Sequence, residues 1–352
     1  MSSYHTQSQC HRLRKLITLS PKLALHFKTL HIAIEPILDG HVPWVYGPLT
    51  VIESLVNVTH LNLAYGDWRH MPDTAVSSLQ SRSYRTVSIG QYFNFRTMGE
   101  VCSLVQNSPD LERARFMCEI NPTLECDFNH CLHRTPAPAT LHITDYQDTS
   151  MSAEIPGLLK LAISSLPCPF SFRNIHTLSV DLSGASYIVP EHLRQYLALP
   201  GTSLKHLHVN HNFNQGSSDR LSSTTLDVSG VENIEIGILK TTSPRFARGT
   251  DILRWWISNL SVVNKCSAIL SVTFTITSLR PEEGHPALDW KDLWMRLDDC
   301  LTFYKMASLE RVAIVFEPRP AEWDMLKAQM EANFLGLKKL GREVIIDAVT
   351  SD

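Results

Sequence analysis

The sequence reads YRTVSI at residues 84–89, LERARF at residues 111–116 and PATLHI at residues 138–143. Each segment has an apolar residue at its first, fourth and sixth positions, and successive copies begin 27 residues apart. Seven further copies begin at Phe27, Val58, Ile175, Leu204, Val231, Ile269 and Leu309. A unit that recurs along most of a chain at a similar spacing indicates a repeat architecture.

The spacing of the copies carries more information than any single copy. In a chain with 43% apolar residues, three matches at fixed offsets often occur by chance. The fourth positions fall at residues 30, 61, 87, 114, 141, 178, 207, 234, 272 and 312, so six of the nine intervals are 26–31 residues long. These units are slightly longer than those of leucine-rich repeats, which have about 20–29 residues.

Between the copies the apolar spacing changes to that of a helix, as at Met98/Val101/Cys102/Val105 and Leu193/Tyr196/Leu197. Parallel neighbouring strands need a long crossover connection, which a helix provides. The pattern therefore predicts an α/β fold: a leucine-rich-repeat-like curved solenoid of about ten irregular repeats, with parallel strands on the concave face and helices on the convex face.

The domain organisation follows from this periodicity. We predict a disordered N-terminus at residues 1–9 and a single leucine-rich-repeat-like domain at residues 10–349. Residues 10–250 hold the more regular repeats, and residues 251–349 hold irregular C-terminal repeats and a cap. The helix predicted at 251–264 contains Trp255 and Trp256, and adjacent helical residues point about 100° apart, so at most one of them is expected on the buried stripe. An exposed interface hot spot is the alternative for this pair, and core packing is the favoured prediction. The segment 211–223 is predicted to be disordered or a loop.

Composition excludes several classes of partner. The chain has 32 Lys and Arg, 35 Asp and Glu and a net charge of -3. No long run of one sign occurs, so we expect no nucleic acid and no membrane as partners. The start has no apolar signal segment, no apolar stretch reaches about 18 residues, and the eight cysteines are scattered. These features predict a cytoplasmic or nuclear protein.

The chain has none of the common motifs for phosphate binding, acyl transfer or zinc-protease chemistry. We therefore predict that it is not an enzyme and uses no cofactor. A cluster of cysteine and histidine is the nearest approach to a metal site, but it lacks the paired C-x2-C spacing of zinc ligands, so no metal site is predicted. The cluster consists of Cys118, Cys126, His130, Cys131 and His133.

The fifth position of the motif faces away from the helices, because side chains alternate between the two faces of a strand. It is occupied mainly by polar residues, and solenoids commonly bind partners on their concave face. A merely solvated polar face is the alternative. The candidate partner-binding residues on and beside this column are Arg113, Arg115, His142, His176, Lys205, His208 and Glu235.

Three segments carry a family resemblance. They are Leu19-Ser20-Pro21-x-Leu23 leading to Leu30-His31-Ile32, the LVQNSPDL segment at residues 104–111, and Leu309-Glu310-Arg311-Val312-x-Ile314 after the helix that contains Trp290. With these segments, residues 10–349 resemble the leucine-rich-repeat region of basidiomycete fungal F-box-like proteins.

The resemblance implies a protein–protein interaction module, with substrate recognition related to that of F-box ubiquitin-ligase receptors. Its protein partners would bind the concave face. A cullin-ligase adaptor is expected as a partner only if an F-box lies upstream, since no F-box is visible in the chain. The alternative is a stand-alone repeat scaffold, or pseudo-receptor, with no ligase coupling. An enzyme with an unrecognised site is less favoured.

Overall fold

The structure is a computed structural model. It describes residues 12–33, 47–117, 136–145, 159, 163, 171–183, 188–199, 202–212, 225–240, 249–263, 266–278, 290–320 and 322–350. The contacts divide the chain into two compact units, Met1–Ile175 and His176–Asp352. Each unit is an α/β structure in which the described strand pairs are parallel.

The first unit contains five described strands that pair in chain order. They are β1 (Thr29–Ala33), β2 (His60–Asp67), β3 (Thr86–Asn94), β4 (Arg113–Phe116) and β5 (Thr140–Asp145). Its α-helices are α1 (residues 12–19), α2 (Asp73–Gln80) and α3 (Met98–Val105). Its 3-10 helices are Pro21–His26, Gly47–Ser54 and Trp68–His70.

The second unit contains six described strands, again paired in chain order. They are β6 (Thr177–Ser183), β7 (His206–Asn212), β8 (Asn233–Lys240), β9 (Ser271–Ser278), β10 (Arg311–Glu317) and β11 (Glu343–Ala348). Its helices are α4 (Ile188–Leu197), α5 (Gly249–Ser261), α6 (Lys291–Thr302), the 3-10 helix Tyr304–Met306, α7 (Trp323–Glu331) and α8 (Leu335–Lys339).

All ten copies of the sequence motif coincide with strands, because their fourth to sixth positions lie in β1 to β10. The predicted α/β class with parallel strands is therefore confirmed. The apolar run Val344–Ile346, in the region predicted to hold irregular repeats and a cap, lies in β11, an eleventh strand that pairs in parallel with β10. The curvature of the array and the single domain at 10–349 stay predictions.

A recurring hydrogen-bond pattern sets the register of the strands. The carbonyl oxygen of the residue just before a strand accepts two successive N–H groups at the start of the next strand. Lys28 accepts from Thr59 and His60, both at 2.9 Å. The same pattern recurs with the carbonyl groups of Thr59, Arg85, Glu112, His176, Lys205, Glu232 and Leu270. Equivalent positions of the motif consequently lie side by side in neighbouring strands.

The alternation along each strand separates a core face from a polar face. In β2, Leu61 and Leu63 are buried, whereas His60 is exposed. In β8, Ile234 and Ile236 are buried, whereas the intervening Glu235 is exposed. Full burial of one such aliphatic side chain stabilises the folded state by roughly 1.5–3 kcal/mol, and the helices pack on this face.

Helix α5 buries both of its tryptophans, as the favoured prediction of core packing expects, whereas the expectation that at most one lies on the buried stripe was wrong. The Trp255 and Trp256 ring centroids are 5.1 Å apart, and Trp255 also contacts the ring of His211 in β7 at 5.7 Å. Helix α5 packs against strand β8 and helix α6 as well. Neighbouring elements therefore cover a wide arc of the helix surface, and two adjacent side chains are both buried.

The buried carboxylate of Asp298 in α6 binds the first turn of α8. Asp298 accepts hydrogen bonds from the backbone N–H groups of Gly336 at 2.8 Å and Leu337 at 3.0 Å. Arg342, just before β11, donates to the carbonyl groups of Leu301 and Met306, the latter at 2.8 Å. A cation at the C-terminal end of a helix also offsets the negative end of the helix dipole.

We expect Asp298→Ala to lower the free energy of unfolding by about 1–3 kcal/mol, because it leaves two N–H groups of α8 without an acceptor. Urea denaturation followed by tryptophan fluorescence measures this change. Asp299→Ala is the matched control, since Asp299 is the next residue of α6 and is exposed. Equal midpoints for the two variants would contradict the assignment.

Candidate functional site

Two arginines dominate the polar face of the first unit. Arg113 and Arg115 are exposed on β4, while the alternating Ala114 and Phe116 are buried. The register places Arg115 between Ser88 of β3 and His142 of β5. Neighbouring strands are about 4.8 Å apart, so the predicted site residues Arg113, Arg115 and His142 form one group.

The charge around this group is basic. Arg85 and Glu112, which precede β3 and β4, approach to 3.6 Å and offset each other. Neither Arg113 nor Arg115 forms an ion pair with any residue in the described part of the first unit. These two guanidinium groups therefore present positive charge to solvent.

The other four predicted residues lie in the second unit, on or just before β6 to β8. His176 and Lys205 immediately precede β6 and β7, and Lys205 Nζ lies 3.3 Å from an oxygen of Glu232. His208 Nδ1 lies 3.9 Å from Glu235 Oε2 on the neighbouring strand. These four residues thus form a second group. Lys205 lies close to Glu232, and His208 and Glu235 lie close to each other.

Sequence reasoning missed a buried carboxylate on the polar face of the second unit. Asp181 of β6 is buried and accepts a hydrogen bond from Asn210 Nδ2 of β7 at 2.7 Å. Gly237 of β8 lies next to Asn210, and a Cβ atom there would come within 2.1 Å of Asn210 Oδ1. The glycine therefore leaves room for the amide. The available signal was that these three residues follow the motif at equivalent offsets.

His211 lies on the core face of β7, so the prediction for 211–223 was wrong at residues 211 and 212. Residues 213–223 lie outside the described ranges. The N–H of Trp256 donates to His211 Nε2 at 2.8 Å, which requires an unprotonated Nε2. Burial lowers the pKa of His211 to about 3. The alternation of Leu207, Val209 and His211 was the signal that places this imidazole in the core.

The buried imidazole makes stability depend on pH. Between pH 6.5 and about 3 the unfolded chain binds a proton at His211 that the folded chain does not, so stability falls as the pH falls. We expect this residue to reduce the free energy of unfolding by about 1.4 kcal/mol between pH 7.5 and 5.5. Urea denaturation at the two pH values, with wild type and His211→Leu, measures it.

The variant should lose this component of the pH dependence, whatever its stability at pH 7.5. His206→Leu removes an exposed imidazole from the other face of the same strand and should keep the wild-type pH dependence. If His211→Leu and wild type showed parallel pH curves, the neutral buried imidazole would be refuted.

Two grooves flank α6 in the second unit. One, of about 680 Å³, is lined by residues of α6 to α8, and the carboxylate of Asp298 on its wall is already bound to backbone N–H groups. The other, of about 400 Å³, lies against α5 and includes Cys300. Burial raises the pKa of the Cys300 thiol, which disfavours the nucleophilic thiolate.

Within the described ranges, no group of three or more His, Cys, Asp or Glu residues is arranged to hold a metal ion. The cluster from Cys118 to His133 lies outside those ranges. In the part of the chain that the structure describes, no helix combines the length and the apolar character needed to cross a membrane.

The fold and this site define an α/β protein whose parallel strands bury one face under helices and present polar side chains on the other. No protein-family model matches the chain, and the comparison with curated proteins found no match.

Proposed function

We propose that the chain is a leucine-rich-repeat-like solenoid of about ten irregular repeats that binds another protein through the polar face of its strands. The observation that carries this proposal is the pair Arg113 and Arg115. Both are exposed, lie two residues apart on one strand, and have no ion-pair partner among the described residues of their unit.

These arginines have no evident role in stabilising the sheet. The core of β4 is formed by Ala114 and Phe116, and two positive side chains on one face of a short strand repel each other. A guanidinium group is suited to bind a carboxylate through two parallel hydrogen bonds. The proposed partner therefore presents Asp or Glu side chains to β4, with His142 beside them. Nucleic acid is disfavoured by the net charge of -3.

The second-unit residues contribute less in this proposal. Lys205 and Glu232 already pair, as do His208 and Glu235 when the histidine is protonated. An exposed ion pair contributes about 0–1 kcal/mol to stability, so a partner could displace it. Arg113 and Arg115 form no such pair with the described residues of the first unit, so a partner can bind them without displacing another group.

The resemblance to F-box-like proteins supports a role in substrate recognition for a cullin ubiquitin ligase, in the cytoplasm or nucleus. A stand-alone scaffold or pseudo-receptor without ligase coupling is the second candidate. An enzymatic function has less support. In the larger groove along α6 the carboxylate of Asp298 already accepts hydrogen bonds from backbone N–H groups, and in the smaller groove burial favours the neutral thiol of Cys300. The proposal includes no cofactor and no metal.

The test is affinity capture from a fungal extract, with crosslinking and quantitative mass spectrometry, using wild type and the R113E/R115E variant. We expect the recovery of the specific protein partner to fall at least about tenfold in the variant, which corresponds to a loss of about 1.4 kcal/mol in binding free energy. K291E/R296E is the matched control, because it reverses two exposed charges on α6 and should retain the partner.

If both variants captured the same proteins as wild type, the polar face of the first unit would not be the binding surface. Recovery of a Skp-type adaptor and a cullin with wild type would favour the ligase receptor. Recovery of a specific partner without them would favour the stand-alone scaffold.

A further inference from the structure

The N-terminal end of the first unit exposes a cluster of large apolar side chains. We call it the leucine surface; it consists of Leu16 (54% exposed), Leu19 (73%), Leu23 (43%), Leu25 (48%) and Val56 (60%). Single exposed apolar residues are common on soluble proteins, whereas clusters of them mark interaction sites.

The members of the leucine surface lie on connected segments. Leu16 and Leu19 are three residues apart on α1, so they share one helical face. The N–H of Ser20 donates to the carbonyl of Leu16 at 2.9 Å, which joins α1 to the 3-10 helix that holds Leu23 and Leu25. Asn57, next to Val56, donates to the carbonyl of Leu25 at 2.9 Å.

The leucine surface is not needed for the packing of these helices against the unit. In α1 the buried side chain is Ile17, and in the 3-10 helix it is Ala24. The exposed leucines lie on other faces of the same segments. They are therefore available for contact with another molecule.

Basic charge predominates on the two N-terminal segments of the leucine surface, whereas the third segment, which leads to Val56, also exposes Glu53. Residues 1–34 contain no Asp or Glu. Arg12 and Lys15 are exposed and share the face of α1 with Leu16 and Leu19, since these positions are three, four and seven residues apart. Three further exposed basic residues on these segments are Arg14, Lys22 and Lys28.

A strand edge lies at the same end of the unit. Strand β1 pairs with β2 along one edge, and no strand in the described ranges of the first unit pairs with its other edge. Backbone N–H and C=O groups at such an edge can bind a polypeptide strand, which supplies acceptors and donors in the same alternation, whereas a lipid surface supplies no such ladder. This favours a protein partner over an anionic membrane, which basic and apolar side chains alone would also fit.

We propose that the leucine surface binds an acidic amphipathic segment of a partner protein. Apolar side chains of the segment pack among the leucines, and its Asp or Glu side chains pair with Arg12, Lys15 and their basic neighbours. This site is separate from the polar face of the sheet, and it does not depend on the function proposed for that face.

The test is selection of a displayed library of linear peptides on the full-length chain, with counter-selection on L16S/L19S. We expect the surviving peptides to carry net negative charge with apolar residues three or four positions apart. Their affinity should fall at least about tenfold in L16S/L19S. It should also fall in R12E/K15E and weaken as salt is raised, because salt screens exposed charges. Circular dichroism and thermal melts establish that each variant is folded.

Two variants serve as controls. L340S combined with K338E/K339E removes a leucine of matched exposure, 55%, and two basic charges from the end of the second unit. R113E/R115E changes the polar face. Both should bind the selected peptides as wild type does. A loss of binding in R113E/R115E as large as that in L16S/L19S would show that the peptides need the polar face, and it would overturn the proposal of a separate site.

Two further results would overturn the proposal. One is that no peptide survives counter-selection, or that the survivors show no acidic bias. The other is that vesicles of phosphatidylcholine and phosphatidylserine bind wild type, compete with the peptides and are released by L16S/L19S, which would make the leucine surface a membrane-binding site.

Discussion

The hydrogen bonds from one carbonyl oxygen to two successive N–H groups of the next strand determine the rest of each unit. Where Arg85 accepts from Glu112 and Arg113, the two strands cannot slide past each other without losing both bonds. A slip of one residue would also turn every core side chain toward solvent. This constraint brings residues that are about 27 positions apart in sequence into rows, and both the core and the polar face consist of such rows.

The sequence was informative where the structure depends on these rows. The ten motif copies predicted ten strands, their parallel pairing and the face on which Arg115 and Glu235 lie, because alternation is a local property. It failed where polar atoms meet across long separations. The bond from Trp256 to His211 and the bonds from Asp298 to α8 join residues 38 to 45 positions apart, and apolar periodicity carries no record of them.

The sequence predicted on which face the candidate site residues lie, but not which of their charges are paired. From the sequence alone, Arg115, His142 and His208 are equivalent candidates, since each occupies the fifth position of its motif copy. The structure separates them by their neighbours: Glu235 faces His208, whereas no described acidic side chain of the first unit pairs with Arg115. Such a difference depends on the residues that the register places alongside. In the leucine surface the basic character has a simpler origin, because α1 and the 3-10 helix after it contain no acidic residue.

The pairing of each described strand with its neighbours in the chain has a mechanical consequence. A force applied to the ends of either unit would separate strands one after another from an end, as a zipper opens, because no described strand is held by a pairing distant in sequence. Successive motif copies start 26 to 40 residues apart, so the length of chain released by each separated strand would vary. Extension would proceed in successive steps, and each intermediate would retain a shortened but intact stack of strands.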